Sequence, residues 1–152
     1  MLTLNYLKSV LFANGRAEVE DIYKKDCILE SAAGYDGIIK LIESGSLPVA
    51  VVLEHNEMGN LGLHNDGGFM TASQSLWVME MVGEREDRRR VQERCWARAK
   101  RILAVMIDHS DDAPLKQWEW GDIPYGIRNA GPNYTGYELT LHFTEDIDLS
   151  YS

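Results

Sequence analysis

The sequence predicts an α+β fold: a mostly antiparallel sheet packed against one long amphipathic helix, with N-terminal helices at the periphery. Three observations predict it. From Tyr137 to Tyr151 the odd positions are apolar except Glu145, and the even positions are all polar. Such period-two alternation means a strand with one buried and one wet face. Pro48–Glu54 is a β-branched run that predicts a buried strand. Within Glu84–Asp108, Val91, Cys95, Ala99, Ile102, Leu103 and Met106 recur at helical spacing and make one apolar stripe. At 152 residues and 45% hydrophobic, the chain predicts a single domain with a core of its own. Residues 1–46 are its helical N-terminal part and residues 47–152 its sheet-and-helix core.

Taken in order, Leu4, Leu7, Leu11 and Phe12 lie on one side of a helix over Leu2–Asn14, which Asn14-Gly15 stops. Glu18–Ser31 has no settled period. Gly34-Tyr35-Asp36-Gly37 reads as a break, and Ile38, Ile39, Leu41 and Ile42 as a short helix closed by Gly45. Glu57–Gly68 carries turn chemistry and predicts a hairpin with a short strand near Leu61–Leu63. Phe69–Val82 reads as a strand ended by Gly83. The long helix follows, with Glu84, Glu86 and Asp87 in its first turn, where the helix dipole favours acids. Asp111-Asp112-Ala113-Pro114 marks a loop, and a further strand is expected near Tyr125–Arg128. Glu145 interrupts the last strand's apolar register, which predicts a bulge or the edge of the packed region.

Charge is distributed unevenly. Between Arg85 and Arg101 stand eight of the fifteen Lys and Arg residues. Four acids over Glu84–Arg101 leave that segment at +4, so the remainder of a chain of net charge −9 carries −13. An asymmetry of this kind points to an acidic partner surface, most simply another copy of the chain. At about 100° per residue, Arg90, Arg94, Arg98 and Arg101 form a ridge beside the apolar stripe. Three readings of the ridge stay open: a solvated face, a protein–protein interface, and a phosphate-binding surface, the last of which defines an alternative reading as a nucleic-acid-associated accessory protein. In the interface reading its acidic partners are Asp146 and Asp148, on the polar face of the last strand. Within the helix, Glu84 is expected to pair with Arg88 and Glu86 with Arg90.

Few residues carry chemistry. His55, His64 and Asp66, near Glu54 and Glu57, are candidate metal ligands, but their spacing matches no zinc or calcium loop. They define an alternative reading as a small metal-dependent enzyme or binding protein. His142 is expected on an exposed strand face. Ser73 and Ser75 lie in no nucleophile-elbow pattern, and Gly59-Asn60-Leu61-Gly62 lacks a nucleotide-binding glycine fingerprint. Trp77, Trp96, Trp118 and Trp120 read as core or interface anchors. Cys27 and Cys95 read as free thiols in a reducing compartment rather than as a disulfide. No cofactor and no catalytic residue is expected. No apolar run approaches the length of a membrane span, no secretory signal is read at the N-terminus, and the acidic total makes nucleic acid an improbable general partner.

The order of elements is a helical start, strands, a Gly-rich hairpin, a strand, one long helix and final strands. In an acidic chain of this length, it resembles the tail-terminator or tail-completion proteins of tailed bacteriophages and prophages. Pro48–Tyr151 carries the resemblance. Its particular echoes are Ser75-Leu76-Trp77-Val78 running into the helix, and Tyr134-Thr135-Gly136-Tyr137-Glu138-Leu139-Thr140-Leu141-His142-Phe143 as a late strand. The resemblance implies an α+β fold and a ring, commonly of six subunits, that caps the tail tube and meets the head side. It also implies other tail or head–tail proteins as partners, and a place in the host cytoplasm or the virion.

Overall fold

The computed structural model describes residues 2–11, 27–45, 47–55, 59–64, 67–112 and 121–147, without the side chains of Cys27 and Ile28. The expectations for Asn14-Gly15, Glu57, Asp66, Pro114, Trp118, Trp120, Asp148 and Tyr151 lie outside the described residues. Among those described, three helices and six strands follow one another. They are α1 (Leu4–Leu11), β1 (Cys27–Ala32), α2 (Gly34–Gly45), β2 (Val49–Glu54), β3 (Gly59–His64), β4 (Gly67–Met81), α3 (Arg88–Asp108), β5 (Tyr125–Ala130) and β6 (Tyr134–Ile147). The strands form one sheet in the order β1-β2-β4-β6-β5, with β3 also on β4. Only β1 and β2 run parallel. The α+β class is as the sequence predicts.

β4 is the spine. Its C-terminal half pairs with β2 from Leu76 to Glu80, and its N-terminal half pairs with β3 from Gly67 to Ala72. Along its other edge it pairs with β6 over its whole length, from Gly68↔Ile147 to Met81↔Tyr134. That register runs through Met70↔Glu145 without interruption, so no bulge forms at Glu145. Glu145 is half-buried at the rim of the packed region instead.

The alternation in β6 sorts the side chains as its pattern predicts. Leu139, Leu141 and Phe143 are buried toward α3, while Glu138, Thr140 and His142 face the other way. The main core unites α1 and α3 with this face of the sheet: Leu7 and Leu11 from α1, Val91, Cys95, Ala99, Ile102 and Met106 from α3, and Leu76, Val78 and Phe143 from the strands. The N-terminus is therefore part of the core, not its periphery. Gln74 fixes it there. The buried side-chain amide accepts from Leu2 N at 2.9 Å and donates to Leu2 O at 2.9 Å, so that it pairs with both backbone groups of one residue as a neighbouring strand would. It also donates to Glu54 O at 3.2 Å.

α2 covers the opposite face and makes a second core, in which Ile38 and Ile42 meet Ala50, Val52, Trp77, Met79 and Tyr134. The four residues read as a break, Gly34 to Gly37, are the first turn of α2. Gly34 enters it at φ 70°, a left-handed value that suits glycine. Burial of Ile38 and Ile42 against the sheet outweighs the modest helix propensity of that turn.

Helix α3 begins later than the sequence pattern implies. Asp87 is the N-cap, and its side chain accepts from Arg89 N at 3.1 Å. Glu84 and Glu86 precede the helix, which removes the two expected i, i+4 pairs. Arg88 instead donates to Asn129 Oδ1 and Pro132 O, both at 2.7 Å, and ties the start of α3 to the β5–β6 hairpin. Among the described residues, no helix is long and apolar enough to cross a membrane.

Candidate functional site

Two of the ridge arginines, Arg94 and Arg98, share one acid of the sheet. Glu80 is the last α3-facing residue of β4. Arg94 donates to its Oε1 from Nε at 3.0 Å, and Arg98 donates to its Oε2 from Nη1 at 3.2 Å. A second donor of Arg94, Nη2, reaches Glu86 Oε2 at 2.6 Å. Glu86 in turn accepts from Gly83 N at 3.1 Å. The hydrogen bond from Arg94, followed by that from Gly83, holds the Glu86 carboxyl below the usual glutamate range. Arg98 is a buried residue, not part of an exposed ridge, whereas Arg90 and Arg101 are exposed. Asp146 is exposed near the end of β6 and pairs with Phe69. Asp148 lies outside the described residues.

The histidines of the proposed metal set do not converge. β2 leaves β4 at Leu53↔Leu76, two residues before His55, and His64 pairs with Gly67 at the far end of β4. Along the strand that is a separation on the order of 20 Å, whereas two ligands of one ion each stand about 2 Å from it. Among the described residues no group of three or more His, Cys, Asp or Glu side chains is placed to hold a metal.

A polar groove lies where β4 changes partner from β2 to β3. It has a volume of about 460 Å³, and Gly59, Asn60, Thr71, Ser73 and His142 are among its lining residues. Ser73 and His142 are cross-strand partners, and Ser73 Oγ stands 2.6 Å from His142 Nδ1. His142 is thus half-buried and bonded rather than simply exposed. Sequence reasoning missed the pair because the two residues are 69 positions apart.

The features that stand out most are apolar. The hairpin formed by β3 and the start of β4 extends along the sheet beyond the end of β2. Leu61 and Leu63 are 65% and 68% exposed on it. Their partners are Met70 and Gly68, and Met70 packs toward the main core, so both leucines stand on the α3 side of the sheet. On the other side the Phe69 ring lies across Gly62, where a Cβ would run into it. At the opposite edge, β5 carries Tyr125 and Ile127, 64% and 46% exposed. They pair with Leu139 and Tyr137 and so also face the α3 side. Trp96 of α3 packs at a tilt against two rings there, its centroid 4.8 Å from that of Tyr125 and 5.0 Å from that of Tyr137. The strands near Leu61–Leu63 and Tyr125–Arg128 were legible in the sequence; the exposure of their apolar side chains was not. No protein-family model matches the chain, and no curated protein matches it.

Proposed function

We propose that this chain is a structural assembly protein that acts by self-association and contacts with other proteins, of the tail-terminator or tail-completion kind. Its place is then the host cytoplasm or the virion, its partners are further copies and other tail or head–tail proteins, and no reaction is required of it. The observation that carries this reading is the β3 edge of the sheet, where Leu61 and Leu63 are about two-thirds exposed. Adjacent large aliphatic side chains on an edge strand are a liability in a free monomer and an asset where a partner covers them. The charge asymmetry supports the same reading. Arg90 and Arg101 are both exposed on α3. An acidic surface that includes Asp146, and in the sequence Asp148, is a suitable counterpart for them on a neighbour.

Sedimentation velocity across protein concentration tests the reading. Oligomers are expected at micromolar concentration, and they should weaken as salt approaches 1 M, where the screening length falls to about 3 Å. A monomer at every concentration and salt would overturn self-association as the mode of action.

A further inference from the structure

We infer that the β3–β4 hairpin of one copy docks through Leu61 and Leu63 on the Tyr125–Ile127–Trp96 surface of the next copy, an arm-in-socket contact that joins unlike patches. The inference rests on the self-association reading and specifies its interface.

The two patches belong to opposite corners of one sheet. Across the sheet, β3 and β5 are separated by β4 and β6. Along it, Leu61 is level with Met70 and Glu145, whereas Tyr125 is level with Leu139 and Leu76. The offset from Met70 to Leu76 is six strand residues, about 20 Å. The crossing from β3 to β5 adds three strand spacings, about 14 Å. A chain therefore cannot bring its own arm to its own socket, and a second copy supplies the partner.

The patches are complementary in chemistry. The arm offers two branched aliphatic side chains, and the socket offers a tyrosine and a tryptophan ring with Ile127 beside them. Such aromatic groups are favoured anchors in interfaces because they cover a large area at little cost in side-chain freedom. Beside the arm, Glu145 pairs with Met70 and puts an acid on the same side of the sheet as Leu61. Beside the socket, Arg89 and Lys100 stand seven residues before and four after Trp96, on nearly the same side of α3. Both are exposed. Glu93 shares that side, which leaves the column one positive charge. The sign is thus opposite at the two patches, as a head-to-tail contact between copies requires. Because the joined patches differ, each copy retains a vacant arm or socket after one contact. The second contact then either closes a two-fold dimer reciprocally, arm on socket twice, or adds further copies until a ring closes or a filament continues.

A mixing experiment tests the arrangement with the full chain. Leu61→Asp with Leu63→Asp disables the arm, and Tyr125→Asp with Ile127→Asp disables the socket. Each double variant alone is expected to sediment as a monomer under conditions where the wild type associates. Mixed in equal amounts they retain one intact arm and one intact socket between them, and a 1:1 heterodimer is expected and nothing larger. If the wild type assembles but the mixture stays monomeric, or if either variant alone assembles as the wild type does, the arm-in-socket contact is wrong and self-association stands by another route. A wild type that never associates defeats the assembly reading itself. Should an Asp variant lose its urea transition, Leu61→Gln with Leu63→Gln and Tyr125→Gln with Ile127→Thr serve the same comparison.

Discussion

Arg98 Nη1 stands 3.2 Å from Glu80 Oε2, with 6% and 13% of the two side chains exposed, so the chain's most basic helix is fastened to the sheet by a nearly buried ion pair. Removal of one partner leaves the other charge desolvated without its counter-ion. Glu80→Ala is expected to cost about 3 kcal/mol of folding stability. Arg94→Ala is expected to cost less than about 1 kcal/mol, because Arg94 is 46% exposed and solvent screens its pairs. Urea unfolding of the two variants checks the order, and equal losses would mean that Glu80 serves Arg94 rather than Arg98.

That pair also marks where sequence reasoning stops. The apolar stripe of α3 and the alternation of β6 were legible because each is a local period, and local periods report which face is buried. Arg98 looked like one member of a surface ridge, since its partner Glu80 belongs to a strand 18 residues earlier and the contact exists only once β4 and α3 pack. β1 escaped for a related reason. It is six residues long, includes Glu30 and Ser31, and is held by its parallel register with β2 rather than by a pattern of its own. At the candidate site, strand positions were readable near Leu61 and Tyr125, but exposure depends on where β2 and α3 end, which no local pattern encodes.

The two faces of β6 should respond differently to truncation. Phe143 is 1% exposed in the main core, so Phe143→Ala should cost about 3–5 kcal/mol. His142→Ala removes a half-buried ring and its bond to Ser73, and should cost about 1 kcal/mol. The comparison of urea midpoints decides whether the groove residues are structural. A loss at His142 as large as that at Phe143 would show the Ser73–His142 pair to be a main support of the strand pairing.

Cys95 should be chemically silent in the folded protein. Burial pushes its thiol up to about 12, chiefly by desolvation and then by the Glu80 charge, and its Sγ donates to Thr135 O at 3.6 Å. The reactive thiolate is therefore scarce at neutral pH. In a Cys27→Ser variant, a disulfide thiol reagent at pH 8 is expected to titrate no thiol in the native protein and one after unfolding in urea. Rapid labelling of the native variant would mean that the α3 side of the core opens far more readily than its packing implies.

Glu54 provides a pH-dependent test of the sheet's other face. Burial first, and the nearby Glu138 second, raise its pKa above the ordinary glutamate value. Glu138 accepts from Ser75 Oγ at 3.4 Å and from Arg128 Nε at 3.2 Å, which holds its charge in place. A carboxyl whose folded pKa is raised favours the folded state fully below its unfolded value near 4.5, and that contribution is lost as pH rises through the folded value. At pH 7 the ionised Glu54 is thus a burden on the fold, and because solvent screens this partly exposed carboxylate, Glu54→Gln should raise stability there by less than about 0.5 kcal/mol. The gain should shrink as pH falls and vanish below about pH 4, where glutamate is protonated in both states. Urea midpoints of the two proteins at pH 7 and pH 4 measure it. A variant less stable than the wild type at pH 7 would mean that the Glu54 carboxylate is held by a favourable partner and not burdened by Glu138.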